Sequence, residues 1–278
     1  MTGKHRVFPL LFLFAIGPVP LAVAVEVEPL RVELTAAPGS AAVAVLKVTN
    51  YRSDPVRIHA QTGAYRYAFT AHTVLPDDPA KHHLPSCQSW VSIDTGELPL
   101  GPAASGALIL TVAVPQDAAH SPVGEYVAAI LVDEHPQPAT PSAPGAGTVA
   151  ILPRIAIPLY VTLEGRQTPR GRIAAFTATP GPKAGIVQLL LTIANDGETH
   201  VRPMGTVLVT NDRREVVHRA GLGRTVPIFP QFQEGLPLWV PLGAGRYTAI
   251  ATVDLGGPGL LQRELTFTVT ADGQVPLG

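Results

Sequence analysis

Four possible metal ligands crowd one stretch of the sequence, AHTVLPDDPAKHHLPSC, which carries His72, His82, His83 and Cys87. A structural zinc site takes four such ligands in paired spacing. Two adjacent histidines, a cysteine four residues later and a lone histidine ten residues upstream do not make that pattern. The stretch therefore reads as a polar loop with surface histidines, and no metal or other cofactor is expected. Catalysis finds as little support, because G-x-S-x-G, phosphate-loop and H-E-x-x-H runs are all missing. The carboxylates are scattered without an acid/base pair, and Asp77 and Asp78 stand beside Pro79 in a turn, where aspartate serves its own backbone. Trp90 and Trp239 fall in strand-like segments and are predicted to anchor cores. The expectation is a protein that is not an enzyme.

A different chemistry is offered by residues 151–165, ILPRIAIPLYVTLEG. The run is apolar enough for a buried strand, yet it holds Pro153, Pro158 and Arg154. Proline cannot donate to a β-ladder, so at least one side of this strand is predicted to face no partner in its own sheet. A free apolar edge invites another chain, and either the prolines blunt it or the edge is meant to be used. Val149, Ile151, Ile155, Ile157, Leu159 and Val161 share one face by period 2. The residues from Ile155 onward are expected in the core, and Val149 and Ile151 are expected to touch a partner. Arg154 is costly to bury unpaired, so it must reach water or hold an anion. Arg31, in LRVEL near the start of the chain, is its predicted companion.

The elements that must position these residues are strands. Gly (26 residues) and Pro (29 residues) punctuate runs rich in Val, Ala, Leu and Thr, while charged residues make up only 15% of the chain. No stretch beyond the N-terminal segment sustains a helical apolar period. LRVELTA, AAVAVLKVTN, VRIHAQTGAYRY, SWVSID, GALILTVAVP and EYVAAILVDE alternate with turn signals such as PGS, YRSDP and GELPLGPAAS, the pattern of a sandwich. The second half repeats it with RIAAFTATPG, IVQLLLTIANDG, GTVLVTNDRREVVHRA, GRYTAIATVDLGG and ELTFTVTA. VLKVTNYRSDP and LLLTIANDGETH correspond as strand, Asn and polar turn, and two related all-β sandwiches are the economical interpretation. The stretch from 135 to 147, HPQPATPSAPGAG, reads as a mobile loop within the first of them.

Lys4 and Arg6 precede an apolar stretch, and Ala22 and Ala24 occupy the small positions of an A-x-A site. Residues 1–24 are therefore expected to be a cleaved secretory signal peptide. Residues 25–165 are expected to form the first sandwich and residues 166–278 the second, with the boundary in GRQTPRG. The formal net charge is −1, and losing Lys4 and Arg6 makes it more negative, so nothing attracts nucleic acid. A lone cysteine leaves no intramolecular disulfide.

The first half resembles the N-terminal domain of the periplasmic pilus-assembly chaperones, a family of two immunoglobulin-like sandwiches. The residues that carry the likeness are LRVEL, VLKVTNYRSDPVRIHAQTG, WVSIDTGELPLGPAASGALILTV and PRIAIPLYV, which together span most of residues 26–163. The resemblance implies a chaperone in the periplasm whose late strand pairs with an incomplete exported pilus-like or surface subunit, with an outer-membrane usher as a further partner. It also implies arginine and lysine in the interdomain cleft holding the subunit's terminal carboxylate. Arg31 matches the first-strand arginine, Ala156 stands where the lysine is expected, and Arg154 lies two residues away on the same face. A structural or adhesive envelope protein that uses the sandwiches as spacers is the alternative.

Overall fold

A computed structural model describes residues 25–65, 73–74, 84–136, 152–223 and 227–276. The described residues build four sheets that face each other in pairs. In the first sandwich one sheet has the order β1 (Val25–Glu28), β3 (Ala41–Asn50), β8 (Ser105–Ala113), β6 (Val91–Ile93). Against it lie β2 (Val32–Ala36), β10 (Arg154–Leu163), β9 (Glu125–Pro136), β4 (Val56–Gly63) and β7 (Glu97–Leu100). The second sandwich opposes β11 (Gly171–Pro180), β12 (Ile186–Asn195), β15 (Gln233–Pro241) and β5 (Thr73–Val74) to β14 (Val216–Gly223), β13 (Met204–Asn211), β16 (Gly245–Asp254) and β17 (Leu260–Val269).

Period-2 alternation decides what each sheet buries. Leu108, Leu110 and Val112 of β8 are fully buried in the first core, whereas Leu189, Leu191 and Ile193 of β12 fill the second. Each such side chain contributes about 1.5–3 kcal/mol on leaving water. Val127 and Tyr160 belong to first-sandwich strands but pack into the second core, so the two sandwiches share an apolar junction.

The strand–Asn–turn element recurs with the same hydrogen bonds in both halves. Asn50 donates through Nδ2 to the carbonyls of Asp54 and Gly101 and accepts the Arg52 N–H at Oδ1. Asn195 donates to the carbonyls of Thr199 and Ile228 and accepts the Gly197 N–H. Both are buried. A strand that ends against a polar turn leaves main-chain groups without a ladder, and one amide side chain satisfies three of them at once.

The named strands pair antiparallel except that β2 runs parallel to β10. The chain pairs first as β1 with β3, then crosses at residues 29–31 to join the opposite sheet as β2. The stretch GELPLGPAAS is not all turn, since β7 within it pairs with β4. β5 belongs to the first half of the chain yet pairs with β15 of the second sandwich, so the halves are joined by more than the 166–171 connection. Trp239 is no core anchor: Leu236 and Val240 occupy the inner face of β15 and leave Trp239 54% exposed. Trp90 does pack against the first core. Residues 1–24 and 137–151 lie outside the described residues.

Candidate functional site

β10 sits between β2 and β9, but β2 reaches only its second half. β2 pairs from Leu159↔Val32 to Leu163↔Ala36, whereas β9 pairs from Arg154↔Asp133 to Thr162↔Glu125. Among the described residues, 154–158 therefore have a partner on one side alone. Hydrogen-bond parity shows what the other side offers. Glu134 N–H donates to the Pro153 carbonyl, and Leu163 N–H to the Gly124 carbonyl. Antiparallel pairs alternate between bonded and non-bonded, so the odd-numbered residues from 153 to 163 point their main-chain groups at β9. Arg154, Ala156 and Pro158 point theirs the other way. Pro158 thus costs the β9 ladder nothing, and its missing N–H falls on the open side, where β2 begins.

Charged groups surround this edge. Arg154 grips Asp133 with two hydrogen bonds, Nε to Oδ1 at 2.5 Å and Nη2 to Oδ2 at 2.9 Å. The Arg154 bonds, above all, hold the Asp133 carboxyl below its usual range. Arg31 Nε lies 2.6 Å from Glu33 Oε1, and the same oxygen lies 2.7 Å from Arg202 Nη1, which comes from the second sandwich. Arg202 also donates to His200 Nε2 and lies over the Tyr160 ring, 5.3 Å from its centre. His200 Nδ1 hydrogen-bonds Glu125 Oε2 at 2.5 Å, joining the two sandwiches through a carboxylate that is almost wholly buried. Burial pushes the Tyr160 phenol up, and the neighbouring Tyr65 hydroxyl adds to the shift.

The two predicted arginines do not share one site. One step back along the parallel register puts Arg31 beside Pro158, four residues from Arg154 and so roughly 13 Å away at about 3.3 Å per residue. Each has its own carboxylate. Ala156 is exposed between them. Val149 and Ile151 lie outside the described residues, as do His72, His82 and His83. Cys87 is buried in the first core, where desolvation pushes its thiol up to about 12.

No family model matches the chain, and no curated protein matches it. The chain is similar to solved pilus chaperones. The Pseudomonas aeruginosa CupB2 chaperone is 15% identical over 87% of this chain and 98% of its own, with a TM-score of 0.41. A chain of the Salmonella enterica complex of SafA pilin with the SafB chaperone is 14% identical over 87% and 96%, with a TM-score of 0.42. A chain of the Acinetobacter baumannii CsuC–CsuE pre-assembly complex of chaperone and tip adhesion subunit is 12% identical over 86% and 97%, also at 0.42. The two-sandwich assignment rests on the strand pairing itself.

Sequence reasoning missed Glu33, Glu125, His200 and Arg202. The available signal was the second Asn corner, because Asn195 binds the Thr199 carbonyl and so fixes the residues that follow it. Nothing in ETHVRP says which way those side chains face. That is settled by the packing of the second sandwich on β9 and β10.

Proposed function

We propose that this chain is an exported chaperone-like protein of the periplasm that holds pilus-like or surface subunits by adding a strand to the open edge of β10. The observation that carries the reading is the one-sided pairing of residues 154–158. Strand addition needs a row of unpaired main-chain groups on a rigid sheet, and gains affinity from the ladder and specificity from alternate side chains. Arg154 and Ala156 supply that row. The sheet behind them is rigid because β9 and β4 stay paired along their length and the inward-facing Ile157 and Leu159 are fully buried. The arginines along the edge suit a partner segment that carries a carboxylate. Export rests on the expected signal peptide. The role asks only for binding and uses no catalytic group.

Parity supplies a selective test. Ala156→Pro removes one N–H from the open side and none from the β9 ladder, as Pro158 already does. The variant is expected to keep the wild-type unfolding midpoint and to lose the exported subunit that co-purifies with the wild-type chain from periplasmic extract. A variant that folds and captures the subunit as well as wild type would exclude pairing at this edge.

A further inference from the structure

We propose that residues 41–45, in the open half of β3, form a second interaction surface, and that its partner is another copy of this chain, paired edge to edge about a twofold axis. The inference goes beyond strand addition at β10 and uses other residues.

The surface follows from the crossing of the first strand between sheets. β1 pairs with β3 only from Asn50 to Lys47, and the chain then leaves for the opposite sheet as β2. β8 pairs with β3 from Ala41 to Thr49. Among the described residues, 41–46 therefore have a strand on one side alone. Val114 N–H donates to the Ser40 carbonyl and Asn50 N–H to the Ala104 carbonyl, so the even-numbered residues turn their main-chain groups to β8. Ala41, Val43 and Val45 turn theirs outward. Their side chains are exposed as well, Val43 by 59% and Val45 by 53%. Folded chains blunt the sheet edges they do not use, with bulges, charges, prolines or short strands. β11 and β14 each carry a bulge. β17 presents Arg263 and Glu264, and β10 has Arg154 and Pro158. β6 and β7 are three and four residues long. Ala41–Val45 reads AAVAV, with no charge, no proline and no register shift against β8.

Charge selects the occupant. A run without charge offers nothing to a charged partner, yet it is complementary to itself. Twofold antiparallel pairing sets Val43 opposite its own counterpart and Val45 opposite Ala41 of the second copy, so β-branched side chains meet and no like charges do. Lys47, the nearest charge, already faces Glu28 of β1. Both copies use the same edge, so the assembly closes at two. Edges this short give an interface at the small end of the specific range, and the dimer forms with rising concentration.

Sedimentation equilibrium of the purified chain at rising concentration tests the pairing. Wild type is expected to pass from monomer to dimer. Val43→Pro takes one N–H from each copy, removes both central hydrogen bonds of the twofold and should weaken the dimer by roughly tenfold or more. Val43→Lys and Val43→Glu should each stay monomeric where wild type is dimeric, because like charges then meet at the axis. Mixed with each other, these two should recover the dimer, and a recovery of that kind cannot come from a misfolded chain. A wild type that stays monomeric at every concentration would overturn the proposal, as would a dimer that all three variants leave unchanged. A mixture no more associated than its parts would overturn it too. If the chain stays monomeric and Val43→Lys loses the subunit from periplasmic extract, this edge takes a subunit strand and not a second copy. Ala156→Pro separates the two readings. If it dimerises and still captures the subunit, the β3 pairing stands and strand addition at β10 falls; if it stays monomeric and loses the subunit, the reverse holds.

Discussion

The two halves of β10 have the same alternation of side chains and opposite fates. In residues 159–163, β2 closes one side and β9 the other, and Leu159, Tyr160, Val161 and Leu163 are all buried. In residues 154–158 β9 remains but β2 is absent, and Arg154 and Ala156 are exposed. Composition does not separate the halves, since both are mostly apolar. The difference lies in where a neighbouring strand begins, and that start is set by the crossing at residues 29–31. One strand therefore serves as core at one end and as an open edge at the other. The rigid end holds the open end in register.

The contrast can be broken most forcefully from the closed half. Leu159→Ala should cost about 2–5 kcal/mol, because it leaves a cavity at a fully buried site. Ile155→Ala, in the open half and only partly buried, should cost clearly less. Denaturant midpoints with unchanged slopes would measure both, and equal losses would mean that the halves are packed alike.

Proline substitution sharpens the same comparison at the main chain. Ile157 points its N–H at β9, opposite Ile130. Ile157→Pro should leave a buried carbonyl without its donor and lower stability by about 1–3 kcal/mol. Ala156→Pro, one residue away, should not. Chemical denaturation of the two variants side by side checks the parity directly, and matching losses would show the assignment of sides to be wrong.

The smallest effect concerns Arg154, which ties the open half to Asp133. The Asp133 carboxyl is held below its ordinary value of 3.8 by the Arg154 bonds, then opposed by burial and helped by Arg154's charge. A depressed carboxyl contributes stability at pH above its unfolded value and loses it as pH falls through the folded value. Arg154→Ala should therefore be slightly less stable than wild type at neutral pH, and the gap should close on acidification below about pH 4. Thermal unfolding across that range would read it. A gap that persists undiminished in acid would mean that Arg154 acts through packing rather than through Asp133.

Much of this molecule was legible in its sequence. Gly and Pro spacing, β-branched alternation and the missing helical period give an all-β chain, since those signals act within a few residues of each other. The two Asn corners were legible as well, because a strand running into Asn and a turn has local hydrogen bonds to make. Of the two prolines in ILPRIAIPLYVTLEG, Pro158 marked an unpaired side, for the local reason that proline has no N–H to donate, whereas Pro153 turns its main-chain groups to β9. Tertiary structure alone decided which half of that strand is open, because the answer depends on β2, more than a hundred residues earlier in the chain. It also decided that Arg31 meets Glu33 and Arg202 instead of Arg154. Charges find partners through space, and a sequence pattern of period 2 specifies the face of a strand but not what is packed against it.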